Sequence, residues 1–178
     1  DIVITHAFFP RANAHKKADE DGIPLFGWED DGFLTMSNTP TVLYDDIVQW
    51  FIDMRDKGFK IKRVGFDKKF GREFFIKMKQ HYFKMVDQPQ LYYVKSEGFR
   101  RIEMKVKNKQ FYYLHSEAYE YNVANVKAIE KVDDAIQYEK IDGDGGHHRI
   151  DLFDASVFGA VQMLKDIKLR VDTSDFFG

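Results

Sequence analysis

The chain contains no cysteine in 178 residues. That excludes disulfides, zinc ribbons and thiol nucleophiles, and it fits a reducing compartment. Proline and glycine are scarce, with 4 and 12 residues, so the composition is neither fibrous nor that of a disordered chain. No run approaches the roughly 18 apolar residues that a membrane-spanning helix needs. The opening Asp1-Ile2-Val3-Ile4-Thr5-His6 lacks the basic stretch of a signal peptide. It starts inside what reads as a strand, as though cut from a longer chain. Four chemistries lack their signature: there is no GxxxxGK[ST], GxSxG, HExxH or GxGxxG. A basic surplus is missing too. Lys and Arg number 27 against 29 Asp and Glu, for a net charge of -2, whereas nucleic-acid binders usually carry the opposite balance.

What is present suits one globular domain. Apolar residues make up 44% and there are 17 Phe, enough for a sizeable core. Residues 1–178 read as a single domain with a loosely ordered tail over 171–178. Basic residues crowd between 57 and 84 and between 95 and 109, and acidic ones in Asp19–Asp21, Glu29–Asp31 and around Asp142 and Asp144. A solvated face explains such runs as readily as a surface that meets phosphates.

Periodicity supplies the elements. Ile2 to Phe9 reads as a strand ended by Pro10, Ala12 to Asp21 as a polar helix closed by Gly22, and Pro24 to Asp31 as irregular. Phe33 to Met36 reads as a short strand. Tyr44 to Lys57 carries Ile47, Trp50, Phe51 and Met54 on one face and stops at Gly58. Lys60 to Asp67 reads as a strand, Gly71 to Phe83 as a helix and Leu91 to Val94 as a strand. Gly98 to Lys107 is helical, Phe111 to Leu114 a short strand, and Ser116 an N-cap for a helix through Val126. Lys127 to Val132 and Ala135 to Ile141 form a hairpin across Asp133-Asp134. Asp142 to Gly146 is a glycine-rich loop without the closing Glu of a calcium loop. Ile150 to Leu169 is the clearest helix, with Ile150, Phe153, Val157, Val161 and Leu164 on one stripe. Strands and helices mixed in this way predict an α/β domain.

Two places could carry chemistry. Asp67 ends a predicted strand, where ligands gather in open α/β sheets; it could equally cap a loop. His148, Asp151 and Asp154 are spaced by three at the start of the long helix and point to similar azimuths. Carboxylates there suit a hard divalent cation, or they simply oppose the helix dipole, an effect worth about 0.3–1 kcal/mol. His6, His15, His81 and His115 are scattered and read as structural or exposed.

The order of several stretches resembles the nuclease domain of phage large terminase subunits. They are Phe8-Phe9-Pro10; Ile23-Pro24-Leu25 through Trp28, then Gly32-Phe33-Leu34; Arg63-Val64-Gly65-Phe66-Asp67; Tyr121-Asn122-Val123-Ala124-Asn125-Val126; and His148-Arg149-Ile150-Asp151 with Asp154-Ala155 and Ala160. The resemblance implies an RNase H-like fold, a central mixed sheet flanked by helices, and two-metal phosphodiester hydrolysis with Mg²⁺ or Mn²⁺. It makes Asp67 the second and Asp151 the third acidic position of the family, with His148 as a companion at the metal site and Asp154 beside them. The first acidic position belongs to a strand before Ile2, and Asp1 is not in the place to substitute for it. The substrate implied is concatemeric viral double-stranded DNA in the host cell cytoplasm. The partners implied are the terminase small subunit, the portal protein and the ATPase domain of the same chain. No membrane is involved. A junction-resolvase type of nuclease, and a catalytically incomplete domain that binds DNA or portal, are the alternatives.

Overall fold

The computed structural model describes residues 1–69, 71–143 and 145–174, with side chains as far as Ile167. In chain order it holds β1 (Ala7–Pro10), a 3-10 turn (Arg11–Asn13), α1 (Ala14–Asp21), α2 (Leu25–Asp30) and β2 (Leu34–Ser37). Then come α3 (Tyr44–Asp56), β3 (Val64–Phe66), α4 (Arg72–Gln80), β4 (Met85–Asp87) and α5 (Tyr92–Lys107). The rest is α6 (Glu117–Ala124), β5 (Val126–Glu130), β6 (Ile136–Lys140) and α7 (Asp151–Ser174). The α/β expectation is met. Among the described residues the strands form three separate pairs: β1 parallel to β2, β3 parallel to β4, and β5 antiparallel to β6.

Local signals account for many elements. Gly22 closes α1 at φ 64° and Gly58 follows α3 at φ 96°, the left-handed geometry that glycine adopts without strain. Ser116 caps α6 by accepting the Tyr119 N–H at 3.2 Å. The hairpin turns at Asp133-Asp134, with Asp134 at φ 56°.

Several expectations are corrected, among them the Phe111–Leu114 strand, which is only an isolated bridge between Tyr112 and Ile2. Pro24–Asp31 contains the helix α2. The Lys60–Asp67 strand narrows to Val64–Phe66. Leu91–Val94 is no strand but the entry to α5, where the Leu91 carbonyl accepts the Val94 and Lys95 N–H groups. Its aromatic and β-branched residues have strand propensity, but packing overrides it. Gly98 lets α5 close on α7: a Cβ there would collide with the Val157 carbonyl and lie 2.8 Å from Val161 Cγ2. β4, for which the sequence carried no expectation, is a three-residue strand paired with β3. The helix expected to end at Leu169 runs on to Ser174; residues 175–178 of the expected tail lie outside the described residues.

Two clusters form the interior. The larger joins α1, α2, β2, α5, α6 and α7 through Ala14, Trp28, Leu34, Ile102, Tyr119, Phe153 and Val157. The smaller holds Val48, Val64, Met78 and Phe83 between α3, α4 and β3. Fully burying a side chain such as Val157 contributes about 1.5–3 kcal/mol, so α7, with its stripe in the larger cluster, is the reference against which the other elements are placed.

Candidate metal centre

The N-terminus of α7 is fixed from α6. Asn122 is buried, donates to the Ala118 carbonyl at 2.7 Å, and accepts the Leu152 N–H at 3.0 Å. Asn125 donates to the Arg149 carbonyl at 3.4 Å. Two amides, one in α6 and one just beyond its end, thus hold the turn that presents Asp151. Asp151 is exposed, and its side chain makes no hydrogen bond or ion pair among the described residues. It lines a cavity of about 580 Å³ together with Phe8, Pro10, Asp21, Asn122 and Arg149. The Asp21 side chain is fully buried and pairs with Lys17 at 3.0 Å. Burial, and then the charge of Asp21, push the Tyr121 hydroxyl up from its ordinary value.

Asp67 follows β3 directly and is partly buried. Its Oδ1 accepts the Lys69 N–H at 2.8 Å, and its carbonyl accepts the Gly71 N–H at 3.0 Å. Gly71 is needed for that tight turn, since a Cβ would lie 2.9 Å from the Phe66 ring. Asp67 Oδ2 has no hydrogen bond among the described residues.

The strand can be placed along the helix. Arg63 pairs with Asp166, and Gly65 lies against Gln162, whose Cγ is 3.4 Å from a built Cβ. Two residues of strand span about 6.6 Å and four residues of helix about 6 Å. Continuing that register sets Asp67 level with Phe158, seven residues or about 10 Å along the axis from Asp151. Asp67 therefore ends a strand that runs toward the end of α7 where Asp151 stands.

The other two candidates are engaged. Asp154 Oδ1 accepts Lys95 Nζ at 2.7 Å and also the Tyr138 hydroxyl. Burial, then the Asp154 charge, push the Tyr138 hydroxyl well above its ordinary value. Lys95 also lies over the Tyr138 and Phe158 rings, at 5.3 and 4.9 Å. His148 Nδ1 lies 2.8 Å from Asp142 Oδ2, which also accepts the His148 N–H at 3.3 Å. Burial alone would raise the Asp142 carboxyl, but the hydrogen bonds from His148 win and hold it below its ordinary value. Among the described residues no three His, Cys, Asp or Glu side chains come together to hold a metal. Asp67 and Asp151 offer free oxygens, which suit a hard cation, while Lys95 competes for any cation at Asp154.

Sequence reasoning missed several partners. Lys95, Tyr138, Asn122 and Asp21 had no signal of role, though Asn122 stands in a stretch that carried the resemblance. Some residues of the basic runs are paired within the chain. Arg63 and Lys62 meet Asp166, Lys77 meets Asp45, Arg101 meets Asp1, and Arg100 and Lys107 meet Glu103.

Comparison with solved structures gives the class first. The chain matches the HK97 bacteriophage large terminase with a TM-score of 0.71 at 14% identity, over 85% of this chain and 32% of that one. The large terminase nuclease from thermophilic phage G20c matches with a TM-score of 0.49 at 10% identity, over 65% and 60% of the two chains. The HK97 match shows the fold, which is RNase H-like. The family follows: the model of the terminase large subunit endonuclease domain matches residues 2–165, and the chain belongs to that family. It spans about a third of the HK97 protein. No curated protein matches it.

Proposed function

We propose that this domain is a metal-dependent endonuclease that cuts concatemeric viral double-stranded DNA during genome packaging, by two-metal phosphodiester hydrolysis. The observation that carries the reading is the unpartnered Asp151 carboxylate at the end of α7, whose first turn is tied by Asn122 through the Leu152 N–H, with β3 and the following Asp67 running toward that end. Asp67 and Asp151 would hold Mg²⁺ or Mn²⁺. When bound, such cations act as Lewis acids on the scissile phosphate and on a water. Asp151 and Asp67 supply oxygen donors. His148 is the proposed companion, and its ring would have to leave Asp142 to reach a metal. Asp154 orients Tyr138 and Lys95 at the edge of the site, and a direct metal bond would require it to give up Lys95. Contacts to DNA fall mainly on phosphates, so sequence preference is low. The packaging partners proposed from the family are the terminase small subunit, the portal protein and the ATPase domain, in the host cell cytoplasm.

The test is nicking of supercoiled plasmid in Mn²⁺ or Mg²⁺. Asp67→Ala and Asp151→Ala are each expected to reduce cutting at least 100-fold, on the order of 3 kcal/mol in the barrier. Cutting at the wild-type rate by either variant sinks the assignment. A second reading, a domain that binds DNA or portal without cutting, draws on the absence of a three-ligand cluster among the described residues. It expects no rise in melting temperature with millimolar Mn²⁺. A metal site is stabilised by binding through mass action.

A further inference from the structure

Two helix ends meet where the β3–β4 pair begins, and each carries an exposed aromatic ring beside a lysine. After α3 comes Lys57-Gly58-Phe59-Lys60, with the Phe59 N–H donating to the Met54 carbonyl at 3.2 Å. After α4 comes His81-Tyr82-Phe83-Lys84. Arg55 joins the two: its guanidinium donates to the His81 carbonyl at 3.0 Å and lies 5.0 Å from the centre of the Phe83 ring. The Lys84 carbonyl then accepts the Val64 N–H at 2.8 Å. The meeting point therefore lies at the opposite end of β3 from Asp67.

Phe83 is buried in the smaller core, whereas Tyr82 beside it is 95% exposed. The end of α4 is a Schellman turn, in which the Phe83 N–H donates to the Met78 carbonyl at 3.1 Å and the Tyr82 N–H to the Lys79 carbonyl at 3.0 Å. That turn sets Tyr82 at φ 65°, the left-handed position where glycine is usual and a Cβ is strained. Burial does not offset the strain, since the ring is almost wholly in solvent. Strain and exposure together point to a residue kept for contact rather than for packing. Phe59 is exposed as well. The two rings line a hollow of about 370 Å³ with Arg55, Lys60 and Lys62, and no Asp or Glu lines it. Lys60, Lys79 and Lys84 are exposed, and their ammonium groups make no hydrogen bond or ion pair among the described residues.

Uncompensated cations fit any polyanion, and the rings narrow the choice. A duplex keeps its base faces stacked on one another. An acidic protein face offers carboxylates and leaves the rings in solvent. A single strand offers phosphates to the lysines and free base faces to the rings. We propose that this hollow is a binding site for single-stranded nucleic acid, separate from the candidate metal centre. One base stacks on Tyr82 and another on Phe59, while Lys60, Lys79 and Lys84 meet the phosphates. Every base has a face to stack, so the site is indifferent to sequence. The proposal does not rest on the nuclease reading.

The test is fluorescence anisotropy of a labelled oligothymidylate of about 12 nucleotides, titrated with the full chain in EDTA, so that the metal reading does not enter. Tyr82→Gly is the informative variant, because it removes the ring and relieves the backbone. It is expected to weaken binding by about fivefold or more while the melting temperature rises. A ring that served only the fold would move stability the other way and leave binding unchanged. Replacing Lys60 and Lys84 together by Gln should make the dependence of log affinity on log salt shallower by about 1.4. Unchanged binding in Tyr82→Gly overturns the proposal. So does a duplex of the same length, or a polyglutamate peptide, that binds as tightly as the single strand and weakens as much in Tyr82→Gly. The first result would make a duplex backbone the occupant, and the second an acidic protein face.

Discussion

The half of the molecule around α7 and the half around β3 are built on different amounts of core. Asp151 begins a helix whose Phe153, Val157, Ala160 and Val161 reach deep into the protein, and whose first turn is tied by Asn122. Asp67 follows a three-residue strand backed by a small cluster whose buried members are Val48, Val64, Met78 and Phe83, with Phe51, Ile52, Ile61, Phe74 and Met85 packed around them. A small cluster gives low local stability, and such regions open first. The two carboxylates proposed to share a metal thus stand on unequal ground, one at the start of a helix in the larger core and the other beyond a strand in the smaller one. Divalent cations would then do more to the β3 half than to the α7 half.

The largest effect should come from the α5–α7 contact. Gly98→Ala sets a methyl group against the Val157 carbonyl and Val161. Overpacking of this kind costs about 3 kcal/mol, and the melting temperature should fall by about 10 °C. A drop under about 2 °C would mean that the helices part easily, and the contrast with the β3 half would disappear.

Met78→Ala probes the other half. Truncating a fully buried methionine costs 2–5 kcal/mol in general; the low end, about 2 kcal/mol, is expected where a four-residue cluster can collapse. Hydrogen exchange should show the loss at Val64 and Phe66, with Gly98 and Val157 amides unchanged. Equal loss in both halves would make the domain one cooperative unit. Asn122→Ala, smaller again, removes the acceptor of the Leu152 N–H and should cost about 1 kcal/mol, as loss of a helix cap does. Its signature is faster exchange at Leu152 without change at Val64.

Legibility in the sequence divides along similar lines. The hairpin, α3, the Ser116 cap and the stripe of α7 all announce themselves within a dozen residues, because turn chemistry and periodicity are local. α5 hides behind Leu91-Tyr92-Tyr93-Val94, whose propensity points to a strand. Its true state is set by Gly98 against Val157 and by Lys95 reaching Asp154, contacts 59 residues apart in the pairs that matter. β4 exists because β3 lies beside it. At the candidate site, strand-end and helix-start positions made Asp67 and Asp151 candidates that could be named only through the family resemblance. What holds them could not: the Leu152–Asn122 bond spans 30 residues. Asp154 looked equivalent to Asp151 on a helical wheel, and only the fold reveals that Lys95 and Tyr138 claim one and leave the other free.

The smallest expected effect separates the loop before α7 from both halves. Asp142 sits below its ordinary carboxylate value because the His148 ring and backbone donate to it, against the opposing effect of burial. A group with a depressed value in the folded state adds stability that is present above its unfolded value, near 3.9, and is lost as pH falls through the lower folded value. His148→Ala removes the ring but keeps the backbone N–H at 3.3 Å. The Asp142 titration midpoint, followed by carboxyl carbon NMR, should therefore rise only part of the way to its ordinary value. Stability should then depend less on pH below about 4. Met78→Ala should leave this midpoint where it is, since the loop hangs from α7 and not from β3. An unmoved midpoint in His148→Ala would show that His148 does not hold Asp142 in solution, and would free its ring for the metal.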